Sequence, residues 1–410
     1  MNKVKLNPTL NSTAILLLLL AINPSQAYDF SGRVSVSSSI AHPQSGDVAL
    51  PGEDWITTDQ ESLRLMLNGG QDKRAWSVHL KTSRQHYQGV FPVGLHSSDF
   101  FRYKTLSSDW VEDSDTDSST YIGAEIDRAT FKYSADKFSL TAGRQAVDWG
   151  VGRLWQPMNV FGAFAPTDLD TEYKPGIDAL TLDWFPSPFS SLTVAYVLSP
   201  DDDIAATKNS AVIHYRRLVG EQTELSLLAG DVSGDPVFGA SIEGEKNSIG
   251  LRLEATHHDL PLIDDKGLFI IAGADYKFAN EILLITELYY NHFGSSNVNG
   301  LSDAQNGWLL NRGLQPHLSR NVVGVSLQKE LSPLLSGSYA LLTSQLSSDT
   351  GDKEYSFLHQ LGLKYSLSDE SDLLFSLQTG VGKGRNQQGT LRSEFGHIPT
   401  SIAVRWSRYF

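Results

Sequence analysis

The sequence predicts an all-β fold: a single transmembrane antiparallel up-and-down β-barrel of about 18 strands, with 16 as the lower bound. Three observations carry this expectation. Segments of eight to eleven residues with period-two hydrophobicity recur from residue 28 to the end of the chain. The links between them alternate between tight turns and longer loops. The chain opens on a secretory leader and closes on a strand that ends in Phe410.

The leader comes first. Lys3 and Lys5 precede an apolar core, Ala14–Ile22, and Ser25-Gln26-Ala27 places small residues at the two positions a signal peptidase inspects. That core is too short to cross a bilayer as a helix, so residues 1–27 read as a signal peptide and 28–410 as the barrel. The longest later apolar run, Leu268–Ala274, is shorter still, and no transmembrane helix is expected. The absence of cysteine excludes a disulfide framework and a thiolate metal site. About 383 residues after the leader exceed a usual single core and suit one large closed sheet. The formal charge of −14 argues against nucleic acid, whose phosphates need a basic face.

The strand period is clearest over Ser248–Thr256, where Ile249, Leu251, Leu253 and Ala255 alternate with Gly250, Arg252, Glu254 and Thr256. Strands are expected at 30–40, 59–68, 75–86, 122–133, 137–147, 176–185, 190–198, 209–217 and 223–231. They continue at 237–243, 248–257, 268–278, 282–292, 320–329, 334–344, 355–366, 371–381 and 401–410. Every second link is a tight turn, among them Asn68-Gly69-Gly70, Ser187-Pro188, Gly244-Glu245-Lys246 and Ser332-Pro333. The links at 88–121, 148–175, 293–319 and 382–400 are far longer. Short periplasmic turns and long external loops are the rhythm of an outer-membrane barrel.

The faces agree with it. One side of each strand carries Leu, Val, Ile, Phe, Tyr or Ala; the other carries Ser, Thr, Gly, Gln and scattered charges. Trp184, Phe185, Tyr276, Phe278 and Tyr365 lie beside short turns, at the level of an interfacial girdle. Ile402, Val404 and Trp406 alternate towards Phe410, and such an ending resembles the recognition signal of bacterial outer-membrane barrels, with Arg408 standing where an aromatic is usual. The expected location is therefore the bacterial outer membrane, among lipid and lipopolysaccharide, with a monomer favoured over an oligomer. A ring of this size leaves an aqueous lumen unless something folds into it.

The densest stretch, GRQAVDWGVGRLWQP (143–157), begins at the top of the fifth strand. Arg144 falls on the lipid parity, which requires either an interfacial position or a bulge at Gly143. The loop that follows, 148–175, is too apolar to project into water and is expected to fold into the lumen. Arg144, Asp148, Trp149, Arg153, Asp168 and Asp170 would then line a constriction whose charges sort solutes. The alternative is an Arg144–Asp148 ion pair that only fixes the loop. Arg128, Lys132, Arg252, Glu254, Asp275, Lys277 and Glu287 are the expected lumen-lining charges.

Gly143-Arg144-Gln145, Trp149-Gly150, Pro157, Val160-Phe161 and Pro166 form a block similar to one in outer-membrane barrels of the alginate-export type and in related barrel proteins. That resemblance implies eighteen strands and a channel; in the alginate channels an anionic polysaccharide passes an arginine-lined pore. Here the inner positions mix Arg128, Lys132, Arg216, Arg252, Lys277, Lys364 and Arg405 with Asp178, Asp183, Glu224, Glu243, Glu254, Asp275 and Glu287. The anionic solute does not carry over.

No Gly-x-Ser-x-Gly elbow and no His-Glu-x-x-His helix appears, and no catalytic residue, metal or cofactor is expected. His257-His258 reads as a solvated pair at a strand top. The acidic clusters Asp109, Glu112, Asp113, Asp115, Asp117 and Asp201-Asp202-Asp203 read as solvated external loops, or as divalent-cation bridges to lipopolysaccharide. The expected function is passive or substrate-selective passage of small hydrophilic solutes. The alternative is a non-conducting barrel that serves as anchor, binding platform or export partner for another envelope component.

Overall fold

The computed structural model describes residues 28–43, 55–87, 101–103, 111–112, 120–162, 172–200, 208–348 and 350–410. The leader lies outside these, as do Asp168, Asp170, the loop acids Asp109, Asp113, Asp115 and Asp117, and Asp201 to Asp203. The first strands are β1 (Tyr28–His42), β2 (Ile56–Gln71), β3 (Arg74–Tyr87), β4 (Val111–Glu112), β5 (Thr120–Ser134), β6 (Phe138–Gln145) and β7 (Ile177–Ser187). Then come β8 (Ser190–Val197), β9 (Ser210–Val219), β10 (Thr223–Val232), β11 (Asp235–Lys246), β12 (Ile249–Leu260), β13 (Asp265–Lys277) and β14 (Leu283–Asn291). The last five are β15 (Asn321–Ser332), β16 (Leu335–Ser347), β17 (Lys353–Ser368), β18 (Ser371–Val381) and β19 (Thr400–Tyr409). Two short helices, α1 (Leu301–Gln305) and α2 (Trp308–Asn311), lie between β14 and β15.

Neighbours pair antiparallel in chain order, and β19 pairs back onto β1 from Arg33 opposite Tyr409 to His42 opposite Thr400. The sheet is thus a closed ring, which leaves no free edge. β4 stands outside it, lying along Ile122 and Tyr121 while β3 pairs directly with β5. The other eighteen strands form the barrel, one for each segment of period-two hydrophobicity.

The alternation sets the faces. On β12, Leu251 and Leu253 are exposed while Arg252, Glu254 and Thr256 are buried, so the ring turns its apolar side outward. Leu180, Leu182, Ile402 and Val404 repeat this elsewhere, and Trp184, Phe185, Tyr276, Phe278 and Tyr365 are exposed beside the turns. Such a surface suits lipid outside and water inside. No helix among the described residues is long and apolar enough to cross a membrane.

Three expectations are corrected. Gly69 and Gly70 do not turn: β2 runs on to Gln71, and a Cβ at Gly69 would strike the Trp76 ring opposite. Likewise β11 runs through Lys246, and the turn is Asn247-Ser248, both with positive φ (54° and 63°), as a two-residue hairpin requires. His258 is not solvated but buried inside, edge-on to Phe269.

The inner face also departs from the polar rule over β7–β11. Ile177, Val197, Val212, Leu228 and Val237 point inward and pack against Val147, Met158, Val160 and Phe161 of the β6–β7 connection. An apolar connection needs an apolar wall, and each such buried side chain contributes roughly 1.5–3 kcal/mol.

Candidate functional site

The site begins where β6 stops behaving as a strand. Gly143 has φ +109°, and a Cβ there would collide with the Ala129 carbonyl. Pairing between β5 and β6 ends at the next residue, Arg144 opposite Ala129. Arg144 is buried, and its fork donates to both oxygens of Asp178 at 2.8 Å, while Nη1 donates to the Ile126 carbonyl at 2.9 Å. One side chain therefore ties β5, β6 and β7 where their ladder runs out. Register explains the choice of partner, since Arg144 and Asp178 are directly opposed.

An Arg144–Asp148 pair is corrected by this geometry. Asp148 instead accepts from Lys174 Nζ at 2.9 Å and from the Asn159 amide at 2.6 Å, linking the two arms of the β6–β7 connection. Burial pushes the Lys174 ammonium down, and the Asp148 carboxylate offsets part of that. Trp149 stacks on His214 of β9, rings 5.0 Å apart.

Beyond Trp149 the segment reaches the far side of the ring. Val151 N–H and Met158 N–H donate to the two oxygens of Glu254 on β12, at 2.7 and 2.5 Å. The consecutive N–H groups of Arg153, Leu154 and Trp155 converge on the Glu287 carboxylate of β14, at 2.7, 2.8 and 3.2 Å. The two carboxylates are 0% and 1% exposed. Buried charges of this kind are costly alone, and the segment has no ladder for its own N–H groups, so each side satisfies the other. Arg252 stands between them, donating to Glu287 at 3.1 Å and pairing with Asp275. Arg153 pairs with Glu243 of β11 at 2.7 Å and stays half exposed.

Trp155 is 2% exposed, and its indole N–H donates to His317 Nε2 at 2.8 Å. The imidazole must then carry its proton on Nδ1, which donates to Glu394 at 3.0 Å. Ser319 N–H and Oγ and Leu318 N–H complete the carboxylate's partners. Burial alone pushes Glu394 up, but the hydrogen bond from His317 together with these donors wins and holds it below its ordinary value. This network, with Leu309, Phe395 and Tyr289 around it, joins the segment to the loops before β15 and before β19.

A second charged cluster went unseen in the sequence. Asp127 binds Arg64 at 2.6 Å and Arg102 at 3.4 Å; Arg102 also binds Glu125 at 2.7 Å, and Arg33 binds Glu172 at 2.6 Å. Tyr173 lies under Arg64, 4.3 Å from its ring centre. By strict alternation Asp127 and Arg128 would face opposite ways. A register shift opposite His79 and Leu80 turns both inward, and Arg128 bonds the Lys174 carbonyl. Lys132 and Lys277 lie apart from this, exposed near the turns, Lys277 paired with Glu281.

No protein-family model matches the chain, and no curated protein matches it by sequence. Solved structures do resemble it. Acinetobacter baumannii OccAB4 is 11% identical with a TM-score of 0.58, covering 95% of this chain and 100% of its own. OccAB1 of the same organism is 9% identical with a TM-score of 0.60, covering 93% and 96%. A BenF-like porin from Pseudomonas fluorescens Pf-5 is 8% identical with a TM-score of 0.57, covering 93% and 98%. At such identities the likeness is one of fold: the chain has the barrel of outer-membrane porins.

Proposed function

We propose that this protein is a porin-like channel of the bacterial outer membrane, for passive or substrate-selective passage of small hydrophilic solutes. The β6–β7 connection is its constriction, folded into the lumen. The observation that carries this is the pair of inner carboxylates, Glu254 and Glu287, that hold residues 151–158 across the ring from β6. In this reading Arg153, Asp148 and Trp149 border the opening and Arg144 fixes its hinge. The OpdK channel of Pseudomonas aeruginosa, solved with vanillate, has the same fold and supports small-solute passage here. The finer likeness to the alginate-export type rests on the block 143–166 alone.

The apolar cluster of Trp155, Leu309, Phe395 and Leu358 favours a second reading, a blocked barrel that anchors another envelope component. Planar-bilayer recording separates the two. A channel gives ohmic steps, and Glu254→Ala with Glu287→Ala enlarges them by freeing the constriction. Silence from both proteins would leave the anchor reading standing.

A further inference from the structure

The two sides of the lumen differ in chemistry. Where residues 151–158 lie, on β11, β12 and β14, the inner wall is charged, and its charges are engaged: Glu254 and Glu287 by the segment's N–H groups, Glu243 by Arg153, Arg252 by Asp275 and Glu287. Further round the ring, on β15–β19 and β1, the middle of the wall is neutral, with the charges Lys364, Asp372, Arg405 and Arg33 set towards the turns. One inward row runs in register through Gln328, Ser338, Gly362, Ser376, Ala403 and Ser39. The adjacent row, from Ser326 to Ser401, centres on Gln360 and Gln378, whose carboxamides are hydrogen bonded at 3.2 Å.

These rows face the constriction. Glu287 lies midway along β14, Gln360 midway along β17 and Ser376 midway along β18, so they share one level of the barrel. The cations below these rows have partners of their own: Lys364 pairs with Asp372 at 3.2 Å, and Arg405 is held by an interaction within the chain.

We infer that the passage between residues 151–158 and this wall takes uncharged, polyhydroxylated solutes of sugar size, with Gln360, Gln378, Ser338 and Ser376 as the surface they slide on. Hydroxyls and carboxamides both donate and accept, so they replace water on a sugar hydroxyl in either sense. Gly362 and Ala403 keep the surface flat. A charged solute gives up hydration there, and the residues of these two rows carry no charge to replace it.

The inference rests on the channel reading, and the test keeps the two apart. The full-length protein is reconstituted for single-channel recording in KCl and for proteoliposome swelling in glucose, glucosamine and glucuronate. Glucose is expected to enter fastest. Gln360→Leu with Gln378→Leu, checked for folding by heat-modifiable gel migration, should slow glucose about fivefold, the worth of one hydrogen bond. Conductance with glucuronate or glucosamine entering as fast as glucose overturns this inference alone, as does an unchanged glucose rate in the folded double variant. Absence of both conductance and swelling overturns the channel reading, and this inference with it.

Discussion

Arg144 shows how much of a residue's fate is local. Its side chain is 4% exposed and its partner Asp178 19%, so removing the acid takes the bidentate carboxylate from a nearly buried guanidinium. Asp178→Ala should therefore cost about 3–5 kcal/mol, whereas Arg144→Met with Asp178→Leu should cost clearly less. Urea unfolding in detergent micelles measures both, and equal losses would mean the pair is not what matters. Glu394 makes the pH case. Its carboxyl is held below the ordinary 4.5, so its contribution is full above that value and is lost as pH falls through the lower folded value. The unfolding midpoint should drop as pH falls below 4.5, and Glu394→Gln should flatten that drop. The positional conflict of Arg144 was legible in the sequence, because lipid parity and a charge cannot coexist cheaply. Its partner was not legible, because Asp178 is 34 residues away and only strand register brings them together.

Strands were the legible elements, since every one of the eighteen long strands overlaps a segment with period-two hydrophobicity. Their ends were not. Glycine signals a turn in sequence, yet Gly69 makes room for a ring and the real turn is Asp72-Lys73. The hairpin β11–β12 offers a test of turn chemistry. Ser248 holds φ 63°, costly for a residue with a Cβ, and glycine is the residue preferred there. Ser248→Gly should raise the unfolding midpoint, by about 0.5–1 kcal/mol after the entropy it returns to the unfolded chain. A lower midpoint would mean the turn is not limiting. The β6–β7 connection was legible as apolar and out of place in water. Its anchors were not, because a carboxylate that binds backbone N–H groups leaves no side-chain partner to read: Glu254 and Glu287 looked like ordinary wall charges.

At the scale of the whole ring, stability depends on one seam that no turn covalently supports, the pairing of β19 with β1. Everywhere else a hairpin or loop keeps neighbouring strands at high effective concentration, whereas here the two ends of the chain must find each other. The last residue finishes the seam. Phe410 exchanges backbone hydrogen bonds with Gly32 at 2.8 and 3.1 Å, and its ring lies 6.2 Å from that of Phe30. One residue earlier, the Tyr409 hydroxyl donates towards Glu172 at 2.9 Å and Asp372 at 3.2 Å, so the closing strand also holds the return arm of the β6–β7 connection. Phe138 is a fair control for the ring closure. It is also an outward phenylalanine beside a turn, 44% exposed against 49% for Phe410, but it sits far from the seam. Both lose similar lipid contact on truncation, so Phe410→Ala should exceed Phe138→Ala by about 1 kcal/mol, the worth of an aromatic cross-strand pair. Temperature-resolved gel shifts of the folded barrel measure the difference, and the Phe410 variant should lose its compact band first. If the two variants melt together, the terminal phenylalanine contributes only its contact with lipid, and closure rests on the backbone ladder from Arg33 to His42.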